Sequence, residues 1–317
     1  FSRIKRSQSE LASFLLIYYW VMAEHQTLVA ISRNPIPEKL AFQLKDRASG
    51  FGAALHTLGG QITNGAYHSQ RWTCNLHLDV RQREELRLIC SQDKTDLCFL
   101  DANLIPRNIQ VLAMDMDSTL INIECIDEIA DFTGKKAAVA EITEATMRGE
   151  IKDFKESLRR RVALLEGIHA DALEAVYRER LRPNPGAVEL LAGAQQRGLY
   201  TLLVSGGFTF FTEKLRERLG FKQTQANTLE IIDGKLTGRV LGDIVDGHAK
   251  SAHLDDACQK LGCTRSNAIT MGDGANDLNM MNGSGISVAY QAKPVVKEKA
   301  DAAFDHVGLD AALLLIS

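Results

Sequence analysis

Apolar and polar residues alternate along this chain in two distinct rhythms. From Thr27 to about Ala102 short periods dominate. Leu28-Val29-Ala30-Ile31 reads as a strand, and Pro37 to Leu58 as a helix ended by Gly59-Gly60. Trp72 to Leu78 alternates as a half-buried strand, Arg83 to Ile89 is helical, and Asp96 to Leu100 is a further short strand. Pro106-Arg107-Asn108 marks a boundary, beyond which strands and helices alternate as in a doubly wound parallel sheet. Three apolar strands there end in polar chemistry. Val111 to Met114 runs into Asp115-Met116-Asp117-Ser118-Thr119, Tyr200 to Val204 into Ser205-Gly206-Gly207, and Ala268 to Met271 into Gly272-Asp273-Gly274-Ala275-Asn276-Asp277. About eighty residues of helical pattern separate the first two strands, more than one crossover needs, and predict an inserted helical cap over about 124–188. The expected fold class is α/β, a doubly wound parallel sheet with that cap in residues 106–317. A smaller α+β domain occupies 1–105.

The 317 residues are long enough for two domains. With 45% hydrophobic and 24% charged residues the composition is that of a globular protein. A net charge of −3 gives no footprint for nucleic acid. The six cysteines include no Cys-x-x-Cys pair or zinc spacing, and scattered thiols point to a reducing, cytoplasmic setting. The apolar run Leu11 to Ala23 is too short to span a bilayer and is rich in strand formers. It reads as a folded element rather than a signal peptide, although basic residues precede it. No membrane partner is expected. His56, His68 and His77 have no partner at metal-ligand spacing, so the N-terminal domain reads as a regulatory or dimerising module and leaves a homodimer open.

Asp115 and Asp117 are two apart at a strand end, so they begin by facing one side. Two close carboxylates repel unless a cation or a shared proton intervenes, which makes the pair a metal site, an acid/base pair or both. Alone, Asp-x-Asp is also an ordinary solvated turn or helix cap. Ser205-Gly206-Gly207 offers a hydroxyl and backbone N–H groups at a strand-to-helix turn, where phosphate is often held. Asp273 and Asp277 add carboxylates, and Lys250 adds a cation. Together these suit Mg²⁺-assisted phosphoryl transfer. Phe154, Leu158, Arg161 and Leu165 share one helical stripe, placing Arg161 on an apolar face. There it must snorkel to a surface carboxylate or find an anion.

These motifs, in this order, resemble those of the haloacid dehalogenase superfamily. More narrowly, 115–130, 142–165, 204–208 and 272–278 resemble the phosphoserine phosphatase family. The resemblance covers roughly 108–317, while the N-terminal third is similar only loosely to the ACT-like extensions of bacterial members. It implies that Asp115 is a nucleophile forming an aspartyl-phosphate and Asp117 the general acid and then base. It implies Mg²⁺ held by Asp115, the Asp117 carbonyl and Asp273, and phosphate held by Ser205, the Gly206 backbone, Lys250 and Asn276. Asp277 then orients Lys250 or a metal-bound water. Arg161 takes the substrate carboxylate and Glu124 its ammonium, with Met147 and Phe154 closing the apolar side. The implied reaction is hydrolysis of phosphoserine, the last step of serine biosynthesis. The alternative is a phosphotransferase passing phosphate to an alcohol such as homoserine. A sensor with a vestigial catalytic half is disfavoured, because no catalytic residue is missing.

Overall fold

The computed structural model describes residues 25–148, 150, 151 and 153–317. The apolar run Leu11 to Ala23 lies outside them. The described residues form two compact units, divided between Leu104 and Ile105.

The described residues of the first unit have the order βαββαβ. Strand β1 (Gln26–Ser32) is central, pairing antiparallel with β3 (Tyr67–Cys74) and β4 (Thr95–Asp101), while β2 (Leu55–Asn64) pairs with β3. Helix α1 (Glu38–Gly50) buries Leu40, Leu44 and Ala48 at four-residue spacing. Helix α2 (Val80–Ser91) starts at a capping box, in which Asp79 and Gln82 bond each other's backbone N–H. Both pack with Leu28, Trp72 and Phe99 in one core. The helix expected over Pro37–Leu58 is shorter, because the chain turns at Gly52 with φ +79°. Leu55 to Leu58 instead enter β2, and the register of β2 shifts between Leu58 and Ile62, where Gly59-Gly60 lie. The strand expected over Trp72–Leu78 lies earlier and ends at Cys74, and the Leu78 N–H donates to Gln26 Oε1 at 3.0 Å.

The second unit is built on seven strands in the order β11-β10-β9-β5-β6-β7-β8. They are β5 (Val111–Met114), β6 (Tyr200–Phe208), β7 (Gln223–Ile232), β8 (Lys235–Leu241), β9 (Ala268–Gly272), β10 (Ile286–Tyr290) and β11 (Ala302–Phe304). All neighbours are parallel except the β7–β8 hairpin. Strand β5 sits between β6 and β9. After β5 the chain builds one wing of the sheet, then returns to build the other, so the end of β5 is the switch point where open α/β sheets bind ligands. The three strand ends predicted to carry chemistry are therefore adjacent. Strand β6 runs four residues further than expected, through Ser205-Gly206-Gly207 to Phe208. It is bulged there, with a register shift between Val204 and Phe208.

Between β5 and helix α7 (Ala187–Gln196) lie α3 (Cys125–Asp131), α4 (Lys136–Met147), α5 (Phe154–Ala163) and α6 (Asp171–Ala175). Their apolar faces pack inward, as with Ile126 and Ile129 of α3 and Leu158 and Val162 of α5. The segment after α5 is tied to the β7–β8 hairpin by the Gly167 N–H to the Leu236 carbonyl (2.9 Å) and the Ala170 N–H to the Gly234 carbonyl (2.8 Å). Among the described residues, no helix is long and apolar enough to cross a membrane.

Candidate active site

Beyond β5 the chain makes a wide turn over Met116–Leu120, in which Ser118 takes φ +56°, a left-handed conformation costly for a residue with a Cβ. Four hydrogen bonds involving side chains hold the bend. The Ser118 hydroxyl donates to Glu124 Oε1 at 2.7 Å. The Cys125 N–H donates to Asp117 Oδ1 at 3.1 Å, and Asn184 Nδ2 donates to the carbonyls of Thr119 (2.8 Å) and Ile121 (3.1 Å). The turn thus points Asp115 and Asp117 into a cavity of about 850 Å³ between the strand ends and α3–α5.

Eight of the predicted site residues line that cavity: Asp115, Asp117, Glu124, Phe154, Arg161, Gly206, Asp273 and Asn276. Ser205, Lys250 and Asp277 are fully buried behind them. Helix α4 carries Met147, whose side chain lies outside the described residues.

Lys250 projects from the first turn of α9 (Gly247–Leu261), the helix that follows α8 (Thr209–Leu219), and its Nζ lies 2.7 Å from both Asp115 Oδ1 and Asp277 Oδ1. Burial alone depresses its pKa, but these two carboxylates outweigh that and raise it, so the ammonium stays charged. Asp277 is fully engaged, because its Oδ2 also accepts the N–H groups of Asp273 (3.2 Å) and Gly274 (3.0 Å). Asp115 Oδ1 accepts the Met116 N–H at 2.7 Å in addition to Lys250, and Asp273 Oδ1 accepts the Thr119 hydroxyl at 3.0 Å. Each of these two aspartates keeps its second oxygen for another partner.

Oxygens of Asp115, Asp273 and Asp277 all lie within 4.8 Å of one another. Three carboxylates against one ammonium leave two negative charges when all are ionised. Burial, then the charge of Asp277, pushes the Asp115 pKa well up and that of Asp273 to about 6. A divalent cation would turn this repulsion into attraction. The donor set is hard oxygen, which suits Mg²⁺ in kind, and a cation would be held through Asp115 and Asp273 with Asp277 bracing the loop.

Asp117 is separated from this cluster in character. Burial, then the nearby Glu124, pushes its pKa up to about 7, so both protonation states are accessible near neutrality. Gly207 leaves the space it needs: a Cβ there would lie 2.5 Å from Asp117 Oδ2 and 2.7 Å from Met116 Cε. Ser205 Oγ accepts the Gly207 N–H at 2.8 Å, so this hydroxyl braces the bulge and keeps its proton to donate to a ligand.

On the opposite wall, Arg161 Nε is buried without a hydrogen-bond partner. Of the two readings left open by spacing, the surface ion pair is not formed among the described residues. Burial lowers the guanidinium pKa, opposed by Asp127, Glu124 and Asp117. Such a group is expensive to bury unless an anion completes it. Glu124 faces the same cavity, and burial raises its pKa against the Ser118 hydrogen bond.

Asn184 and Asn227 are not singled out by the sequence, and Thr119 is singled out only as part of the first motif, with no role of its own. Asn227 Nδ2 donates to the Gly206 carbonyl at 2.8 Å, while its Oδ1 accepts the Val245 N–H at 2.8 Å, fixing the β6 bulge. Asn184 stands in Pro183-Asn184-Pro185-Gly186, a turn signal that carries no hint of a partner more than sixty residues earlier.

Residues 112–282 match the haloacid dehalogenase-like hydrolase family. A phosphoserine phosphatase of Polaromonas sp. (strain JS666) is 56% identical over 211 residues, which cover 65% of this chain and 89% of that protein. A haloacid dehalogenase family hydrolase, t0658 from Salmonella enterica serovar Typhi, superposes with a TM-score of 0.78 at 29% identity, covering 92% of this chain and 99% of that one. A probable phosphoserine phosphatase from Vibrio cholerae superposes with a TM-score of 0.75 at 32% identity, covering 98% of this chain and 93% of that one. This chain belongs to the haloacid dehalogenase-like hydrolases and, within them, to the family of these phosphoserine phosphatases.

Proposed function

We infer that this chain hydrolyses O-phospho-L-serine to L-serine and phosphate, the closing step of serine biosynthesis, in the cytoplasm. The observation that carries the substrate is Arg161, whose Nε is buried without a hydrogen-bond partner, facing the same cavity as Glu124 and the aspartate pair. A carboxylate and an ammonium on one small molecule match Arg161 and Glu124, and its phosphate would meet Lys250 and a cation held by the aspartates. Relatives named phosphoserine phosphatase at up to 56% identity support the same reading.

In the first half-reaction a carboxylate oxygen of Asp115 forms a bond to phosphorus as the bond from phosphorus to the serine oxygen breaks. Asp117, neutral in part at pH 7, gives its proton to that leaving oxygen. Asp117 then takes a proton from water as the water oxygen bonds to phosphorus and the bond to Asp115 breaks. Lys250 keeps positive charge beside Asp115 throughout, with Ser205, the Gly206 backbone and Asn276 around the phosphoryl oxygens. Phe154 closes the apolar side. Mg²⁺ would be held by Asp115, the Asp117 carbonyl and Asp273, and would supply charge neutralisation on the phosphoryl oxygens.

Arg161→Ala is expected to raise KM for phosphoserine about 100-fold, because it leaves the substrate carboxylate unpaired. Turnover of an aryl phosphate, which has no such carboxylate, should stay within a few-fold. Persistence of the phosphoserine preference in this variant would overturn the substrate assignment. Removing divalent cations with a chelator should abolish phosphate release, and adding Mg²⁺ should restore it. The phosphotransferase alternative is not favoured, and it requires that added homoserine be phosphorylated at the expense of free phosphate. For the smaller unit we assign a regulatory or dimerising role. Among the described residues its sheet and helices hold no group of three metal-ligating side chains.

A further inference from the structure

Two contacts join the N-terminus of α5 to the strand-end floor, and neither belongs to the reacting groups. A Cβ built on Gly206 would lie 3.1 Å from the Phe154 ring, so ring and backbone already touch closely. Next to it, Lys155 Nζ lies 3.3 Å from Asp246 Oδ2. The Asp246 side chain is only 17% exposed, and its other oxygen, Oδ1, accepts the Ala249 N–H at 2.9 Å as the cap of α9. Its backbone carbonyl accepts the N–H of Lys250 at 2.9 Å. One residue therefore grips α5 and starts the helix that carries the buried lysine.

The position of Lys155 argues that this grip has a use. It occupies the first turn of α5, after the cap Asp153, where the helix dipole disfavours a cation. Six residues on, roughly 9 Å along the helix, stands Arg161. A helix is stiff over that length, so whatever fixes its first turn also fixes the guanidinium.

We propose that the Lys155–Asp246 ion pair is a clasp that sets the position of Arg161 over the phosphate floor, making Lys155 a positioning residue for substrate selectivity. The proposal rests on the phosphoserine reading for its kinetic arm only. Lys155→Ala raises KM for phosphoserine about three- to fivefold, the range of a partly exposed ion pair, with kcat unchanged and aryl phosphate turnover unaffected. Lys155→Arg restores KM. Asp246→Asn, which keeps a good N-cap but loses the charge, gives the same rise, and the double variant is no worse than either single one. In the substrate-free protein, Lys155→Ala speeds amide hydrogen exchange across Phe154–Ala163, although alanine itself favours a helix.

Wild-type KM in Asp246→Asn, or independent multiplying effects of the two substitutions, would overturn the clasp. So would unchanged exchange in α5. A wild-type protein inactive on phosphoserine would sink the function reading alone, since the exchange measurement still decides the clasp.

Discussion

Asp115→Asn removes phosphate release almost completely, with kcat falling at least ~10⁴-fold, the scale seen when a covalent nucleophile is lost. An amide oxygen carries no full negative charge and is a poor nucleophile toward phosphorus. The change is nearly isosteric, so the packing of β5 and its neighbours is kept. Lys250 keeps Asp277 as its partner at 2.7 Å and does not become an isolated buried charge. The loss is therefore chemical rather than structural. Quenching the wild-type enzyme in acid during turnover should reveal a protein mass increased by one phosphoryl group, on the peptide containing Asp115. The variant should show none. Activity within tenfold of wild type, or an adduct on another residue, would remove Asp115 from the role of nucleophile.

Gly207→Ala lowers kcat roughly 100-fold, the cost of displacing a reacting group by about an ångström. The new methyl would have to share space with Asp117 Oδ2 at 2.5 Å and with Met116 Cε at 2.7 Å. The peptide around Gly207 cannot retreat, because its N–H is held by Ser205 Oγ and the bulge is pinned through Gly206 by Asn227. The mobile group is the Asp117 carboxyl. If the effect runs through Asp117, Gly207→Ala adds nothing further in an Asp117→Asn background. A full multiplicative loss in the double variant would place the damage elsewhere in the phosphate floor.

Much of this site was legible because its chemistry is written in local strings. Strand β5 is short, apolar and ended by charge, so the place where Asp115 emerges follows from pattern alone. Lys250 and Asp277 could be paired from family resemblance, and the structure supplies the 2.7 Å contact. What spacing could not give was the fate of Arg161. A cation on an apolar helical stripe can snorkel or await an anion, and only the tertiary surroundings show its Nε buried without a partner. The extent of β6 was misjudged for a similar reason. Ser-Gly-Gly is the composition of a turn, yet side-chain bonds from Asn227, distant in sequence, hold it as the bulged end of a strand. The helix over Pro37–Leu58 failed where two elements, α1 and β2, follow each other with only Gly52 to separate their periodicities.

The most direct measurement is the comparison of kcat/KM for phosphoserine with those for phosphothreonine, sugar phosphates and an aryl phosphate, all with Mg²⁺. Recognition of carboxylate, ammonium and phosphate in one cavity predicts phosphoserine preferred over the sugar and aryl phosphates by about 100-fold or more. Equal values for phosphoserine and the sugar phosphates would contradict it.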